Sequence, residues 1–280
     1  MAKYAIIWTT TNSYMPGTNA NLNALEFYGF DVDAYVLYDE ISDDYKAHFP
    51  KVNFSQMTVW SEHRDSYWYC VFSDLKYAVD NLFDNYDVVL FWGGDVCIVD
   101  NFMEYFEVAH KLNRIVAGTN EHHGEGPINL PEKQPYTHTW MVPWADIPFF
   151  VPSTKRKVIE NTLSYQYIKG ATVDRMDGLN YAIRDEKENV FGVLGHMWVM
   201  NCPYWGKIER SGNNLLLFGS KMKSFHRKYW SKEYAKNYAD GNEISKNNAT
   251  MFNYMYRFLN NQRVKWTEGI DAWQNASDLS

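Results

Sequence analysis

The run Val88-Val89-Leu90-Phe91-Trp92 contains no polar residue, and it stops abruptly on Gly93-Gly94-Asp95. Apolar residues that follow one another without alternation describe a strand covered on both faces, as inside a parallel sheet. The segments on either side agree with that placement. Tyr4 to Trp8 is a short apolar run that breaks into the polar stretch Thr9-Thr10-Thr11-Asn12-Ser13. Asn19 to Tyr28 reads as a helix closed by Gly29, and Val32 to Leu37 as a second strand. Ser73 to Phe83 is helical, with Leu75, Val79 and Leu82 on one face. Asn101 to Leu112 is a further helix and Ile115 to Gly118 a further strand. This alternation predicts an α/β fold with a doubly wound sheet, which binds ligands outside the carboxyl ends of its strands. The polar loops after Trp8 and after Trp92 are therefore the expected binding edge.

Between Glu121 and Pro152 the pattern changes, because Pro127, Pro131, Pro135, Pro143, Pro148 and Pro152 interrupt it. Regular structure is not expected there. A long irregular segment in a compact domain is usually functional, so a substrate-facing loop is expected, with Trp140, Trp144, Phe149 and Phe150 as its candidate binding aromatics. Asp174 to Ile183 looks helical, Val190 to Met200 strand-like, and Leu215 to Phe218 a strand leading to His226. Ser231 to Asn261 is helical and rich in Tyr and Asn, so 1–230 is expected to form one domain and 231–280 a helical extension packed on it.

A formal charge of -7 disfavours a nucleic-acid partner, which a basic face would hold by its phosphates. Cys70, Cys97 and Cys202 are too far apart for a CxxC metal site and odd in number, so they are expected to be reduced thiols. No run approaches the roughly 18 apolar residues of a membrane span. The first residues read as a strand rather than a signal peptide, and a cytoplasmic location is the expectation. Aromatic residues reach 17%, with 21 Tyr and 11 Trp, which supplies both core and surfaces that stack on sugars or bases.

Chemistry can be assigned to few residues by type and spacing. Asp95 follows a buried strand and two glycines, so its carboxylate is expected at the ligand edge, where Gly93 and Gly94 let a phosphate or sugar approach the backbone. His226 lies just beyond another apolar strand, with Lys228 two residues on; an imidazole can join a carboxylate on a hard cation, and a lysine suits a diphosphate. Glu121-His122-His123-Gly124-Glu125 is dense in metal-ligand types but lacks the helical His pair of a zinc hydrolase. No GxSxG, Walker or GxGxxG motif is present.

In order along the chain, these segments resemble the GT-A glycosyltransferases, specifically the glycogenin and bacterial galactosyltransferase group called family 8. Ile6-Ile7-Trp8-Thr9-Thr10-Thr11-Asn12-Ser13-Tyr14-Met15-Pro16-Gly17 looks like that family's first strand and its Asn-x-Tyr-x-x-Gly nucleotide loop, and Leu22 to Leu25 continues into its first helix. Lys76-Tyr77-Ala78 and Tyr86 to Phe91 resemble the helix and strand before its Asp-x-Asp motif. Asp177-Gly178-Leu179-Asn180 is similar to its acceptor-side helix, and Phe225-His226-Arg227-Lys228-Tyr229-Trp230 looks like a shortened terminal His...Lys-Pro-Trp signature.

The resemblance implies a GT-A-like mixed sheet flanked by helices and transfer of a sugar from a nucleotide donor, usually UDP-linked, to an unidentified hydroxyl acceptor. It implies that Thr9, Thr10, Asn12 and Tyr14 hold base and ribose, and that Lys76 contacts the diphosphate or donor sugar. Asp95 and His226 would bind Mn²⁺ or Mg²⁺, and Lys228 would approach the phosphates. Gly93 replaces the first Asp of Asp-x-Asp, for which Asp100 is a possible substitute. Arg175-Met176 stands where the family has Asp-Gln near the reactive carbon, flanked by Asp174 and Asp177, which become the candidates for orienting donor or acceptor. Two other readings follow from the departures: a degenerate GT-A-like binding protein, motivated by Gly93, and a nucleotidyltransferase on a related fold, which would normally carry a glycine-rich, basic phosphate loop after its first strand.

Overall fold

The computed structural model describes residues 1–11, 14–57, 67–94, 96–120, 142–143, 148–169, 175–194, 199–201, 208–212, 214–217 and 219–226. Strand β1 (Tyr4–Thr10) leads into helix α1 (Met15–Phe27), then β2 (Asp33–Tyr38), α2 (Asp43–His48) and β3 (Asn53–Gln56). Helix α3 (Tyr67–Asn81), β4 (Val88–Phe91), β5 (Val96–Ile98), α4 (Met103–Leu112) and β6 (Val116–Asn120) follow. The rest comprises β7 (Val142–Pro143), β8 (Phe149–Pro152), α5 (Arg156–Lys169), α6 (Arg175–Asp185) and β9 (Phe191–Leu194), then β10 (Val199–Asn201), β11 (Ile208–Ser211), β12 (Asn214–Leu217), β13 (Ser220–Lys221) and β14 (Ser224–His226).

Helix α1 begins at Met15, earlier than the Asn19 expected from the pattern, because proline is tolerated in a first turn, whose N–H groups have no partner within the helix. It ends at Tyr28, and Gly29 takes the left-handed conformation (φ 65°) that lets the chain turn away. The main sheet has the order β3-β2-β1-β4-β8-β6-β7, with β9 also pairing β6. Strands β1 to β4 are mutually parallel, with Ile6 opposite both Ala34 and Leu90. Strand β8 runs antiparallel to β4 and β6, while β9 is parallel to β6, so β1, β2, β4, β6 and β9 end at the same edge.

Alternate residues of the central strands enter opposite cores. Ile6, Trp8, Leu90 and Phe150 join side chains of α1 and α4 in one layer. Ala5, Ile7, Val89, Phe91 and Phe149 join α3, α5 and α6 in the other. The mixed α/β sheet flanked by helices is therefore the observed architecture. Each buried Val, Leu, Ile or Phe side chain among them contributes about 1.5–3 kcal/mol relative to exposure.

Phe149 to Pro152 departs from expectation. The prolines predicted irregular chain, yet this segment is a central strand, fully buried between β4 and β6. Its prolines stand at or beyond its ends, where a missing N–H costs no ladder bond. Phe149 and Phe150 are 0% exposed, so they are core rather than an acceptor platform. Trp140, Trp144, the Glu121-His122-His123-Gly124-Glu125 cluster and everything after His226 lie outside the described residues. The segment expected as one strand from Val190 to Met200 divides into β9, in the main sheet, and β10, in a small sheet of order β10-β14-β5. No helix among the described residues is long and apolar enough to cross a membrane.

Candidate functional site

The chain leaves β1 for β2 on one side and returns to β4 on the other, which makes the β1/β4 boundary a point where strand order reverses. In open α/β sheets a crevice opens at such a point, outside the carboxyl ends of the strands. Thr9, Thr11 and Tyr14 stand at or just beyond the end of β1, and Gly93 and Gly94 just beyond the end of β4. The two loops touch. A Cβ on Gly94 would stand 2.8 Å from the Thr9 carbonyl oxygen and 3.7 Å from Tyr14 Cβ. No side chain fits there, so the glycine is dictated by close approach of the two backbones.

Both loops are pinned from beneath. The Trp92 backbone N–H donates to the Ile7 carbonyl at 2.8 Å, carrying β1–β4 pairing one residue past the end of β4. The Val96 N–H then donates to the Gly93 carbonyl at 3.0 Å, closing the turn that contains Asp95. Trp92 Nε1 donates to the Val96 carbonyl at 3.0 Å, and its indole lies flat on Phe102, with centroids 5.2 Å apart. Under the first loop, Trp8 Nε1 donates to Thr18 Oγ1 at 3.1 Å, and the Thr18 hydroxyl donates to Thr10 Oγ1 at 2.8 Å. Thr10 is 2% exposed, so its side chain supports the loop from inside and is not turned towards a ligand as the resemblance implied. Thr9 and Tyr14 remain at the crevice, and Asn12 lies outside the described residues.

Helix α1 starts at this crevice. Tyr14 makes no side-chain capping bond, and the first turn of α1 holds no acidic residue. The partial positive charge of a helix N-terminus is therefore not offset locally, which suits an anion.

On the far side of Gly94, β14 runs antiparallel to β5, with His226 opposite Val96, the residue that follows Asp95. By residue type, one carboxylate and one imidazole are a donor set that would suit Mn²⁺ or Mg²⁺. Asp95, the His226 side chain and Lys228 lie outside the described residues, among which no three His, Cys, Asp or Glu side chains converge.

Asp100 does not stand in for the missing carboxylate. It lies four residues beyond Val96, about 13 Å along an extended chain. Its Oδ2 accepts from Lys223 Nζ at 3.1 Å, and the same ammonium is 2.8 Å from Glu104 and 2.7 Å from the Asn101 carbonyl oxygen. Burial on its own would lower the Lys223 pKa, but hydrogen bonds and charge from Glu104 and Asp100 hold it above the ordinary lysine value.

Lys76 stands on α3 beside Tyr77, whose hydroxyl bonds Ser55 near the carboxyl end of β3. The Lys76 ammonium pairs with Asp80 on the next turn, an arrangement of a solvated helix face. Helix α6 packs on α5 and reaches β7, which extends the carboxyl end of β6. Leu179 and Asn180 of this helix are fully buried. The side chain of Asp177, and all of Asp174, lie outside the described residues.

Asn21 is a site-supporting residue that motif reading misses. It is 0% exposed on α1, and its side-chain amide bonds to β5. The signal available in the sequence is a polar residue three and four positions before Ala24 and Leu25, on the apolar face of its helix.

No protein-family profile matches the sequence, and no curated protein sequence matches it. Solved structures do match. The bifunctional glycosyltransferase WbbM superposes with a TM-score of 0.62 at 13% identity, over 94% of this chain and 50% of that one. Galactosyltransferase LgtC, solved with donor and acceptor sugar analogs, gives 0.58 at 12% identity, over 97% of this chain and 99% of that one. Glycosyltransferase GlyE of Streptococcus pneumoniae gives 0.55 at 10% identity, over 93% and 63%. The fold is GT-A-like. This chain spans half the length of WbbM and 99% of LgtC.

Proposed function

We propose that the protein is a glycosyltransferase that moves a sugar from a nucleotide donor, UDP-linked in this reading, to a hydroxyl acceptor. The observation that carries the proposal is the contact of Gly94 with Thr9 and Tyr14 at the strand-order reversal, on a fold shared with enzymes of that activity. Thr9, Asn12 and Tyr14 hold base and ribose beside the N-terminus of α1, while Gly93 and Gly94 let the diphosphate lie against the backbone. Mn²⁺ or Mg²⁺ held by Asp95 and His226 would neutralise charge on the departing diphosphate. Lys228 adds positive charge on the same side, and Asp177 and Asp174 orient the donor sugar or the acceptor hydroxyl. A net charge of -7 makes a sugar or small hydroxyl acceptor a better fit than nucleic acid.

The test is release of nucleoside diphosphate from a panel of UDP-, GDP-, CMP- and ADP-linked sugars in Mn²⁺. One donor should turn over, and Asp95→Ala should abolish that turnover. Normal turnover in the variant would overturn the assignment. Gly93, which removes one carboxylate from the metal side, favours a second reading as a binding protein. That reading predicts nucleotide binding indifferent to EDTA with no donor cleaved.

A further inference from the structure

The turn that carries Asp95 is held by a side chain from the helix that carries the nucleotide loop. Asn21 Nδ2 donates to the Val96 carbonyl at 2.7 Å, and Asn21 Oδ1 accepts from the Ile98 N–H at 3.0 Å. Among the described residues, β5 is an edge of its small sheet, with β14 on one side. A strand residue's carbonyl and the N–H two residues on face the same side, so the Asn21 amide occupies the place that a neighbouring strand would take. The Val96 carbonyl also accepts from Trp92 Nε1, so it is fixed by two donors from different elements. Tyr28, at the other end of α1, donates from its hydroxyl to the Val99 carbonyl at 2.6 Å. Helix α1 thus grips β5 at both ends, and its own start is tied to the first loop through Thr18, Thr10 and Trp8.

We propose that Asn21 is a positioning residue that couples the nucleotide loop to the metal-binding turn. Resting on the donor-site reading above, this predicts that the Asn21 amide sets how strongly the metal-binding turn supports nucleotide binding, beyond the direct attraction of metal for diphosphate. Occupation of the loop between Thr9 and Tyr14 stabilises α1 in the position that sets Val96, the residue that follows Asp95 and pairs with His226. Coupling of this kind is reciprocal, so metal strengthens nucleotide binding by the factor by which nucleotide strengthens metal binding.

The test uses the full chain, with UDP and Mn²⁺ as probes. UDP affinity is measured by calorimetry in Mn²⁺ and in EDTA for wild type, Asn21→Leu and Val158→Ala. Val158 is a core residue of α5 in the opposite layer, 1% exposed, and its truncation lowers stability without touching α1 or β5. Asn21→Leu should keep the EDTA affinity and lose the Mn²⁺ enhancement by roughly tenfold, the scale expected of a sub-ångström misplacement. Val158→Ala should keep the enhancement. If Asn21→Leu does not fold, Asn21→Ser, which retains one hydroxyl for either partner, should show a smaller loss in the same direction. An undiminished enhancement in either Asn21 variant, or an equal loss in Val158→Ala, overturns the positioning role and leaves the donor-site reading standing. A wild type that binds no UDP under either condition overturns both.

Discussion

Replacing Gly94 with alanine is the sharpest perturbation of the crevice. The new Cβ would be 2.8 Å from the Thr9 carbonyl oxygen, whereas ordinary contact begins at 3.4 Å, so the loops must part by about 0.6 Å. The obstacle is backbone, and no rotamer change relieves it. Overpacking of this size costs about 1–3 kcal/mol. The larger consequence is geometric, because catalytic groups tolerate a displacement of only about 0.5 Å. Donor turnover should fall by roughly 10- to 100-fold, with UDP affinity reduced as well. The assay pairs thermal melting with UDP titration and nucleoside diphosphate release. Gly29→Ala serves as the control: Gly29 has φ 65° with open space around it, so alanine costs stability through the left-handed backbone alone and should leave UDP binding intact. A Gly94→Ala protein with wild-type melting temperature and UDP affinity would refute the claim that the two loops form one site.

Other substitutions separate support from binding. Phe150→Ala should cost about 3–5 kcal/mol of stability while acceptor KM stays unchanged, since Phe150 is core; a selective rise in KM would contradict this. Lys223→Met should cost about 1–3 kcal/mol, because Asp100 and Glu104 lose a shared, mostly buried partner. The sign of the pH dependence follows from a raised folded-state pKa: the contribution of Lys223 is full below the ordinary lysine value of 10.5 and is lost as pH rises through the higher folded value. Urea melts of wild type and variant should therefore differ at neutral pH and converge at strongly alkaline pH.

The sheet was legible because its central strands announce themselves: the run from Val88 to Trp92 has no polar residue, and Tyr4 to Trp8 nearly none. The edge that binds follows from topology, so the loops after Trp8 and Trp92 could be named in advance. Their contact could not, because a glycine in a turn and a glycine pressed against a distant carbonyl look alike in one dimension. Phe149 to Pro152 was hidden by its prolines, which break local patterns while leaving a four-residue buried strand intact. Thr10 was misplaced by analogy of position: the residue sits in the loop, but strand alternation turns its hydroxyl inward to Thr18. Asn21 lacked any motif, since its partners are 75 and 77 residues away.

The central claim is that the crevice between β1 and β4 takes a nucleoside diphosphate together with a divalent cation. Calorimetric titration of UDP into the full chain, in Mn²⁺ and again in EDTA, tests it most directly. The account predicts saturable one-to-one binding that weakens markedly in EDTA and loses its metal dependence in Asp95→Ala. Absence of UDP binding in Mn²⁺, or binding equally tight in EDTA, would contradict it.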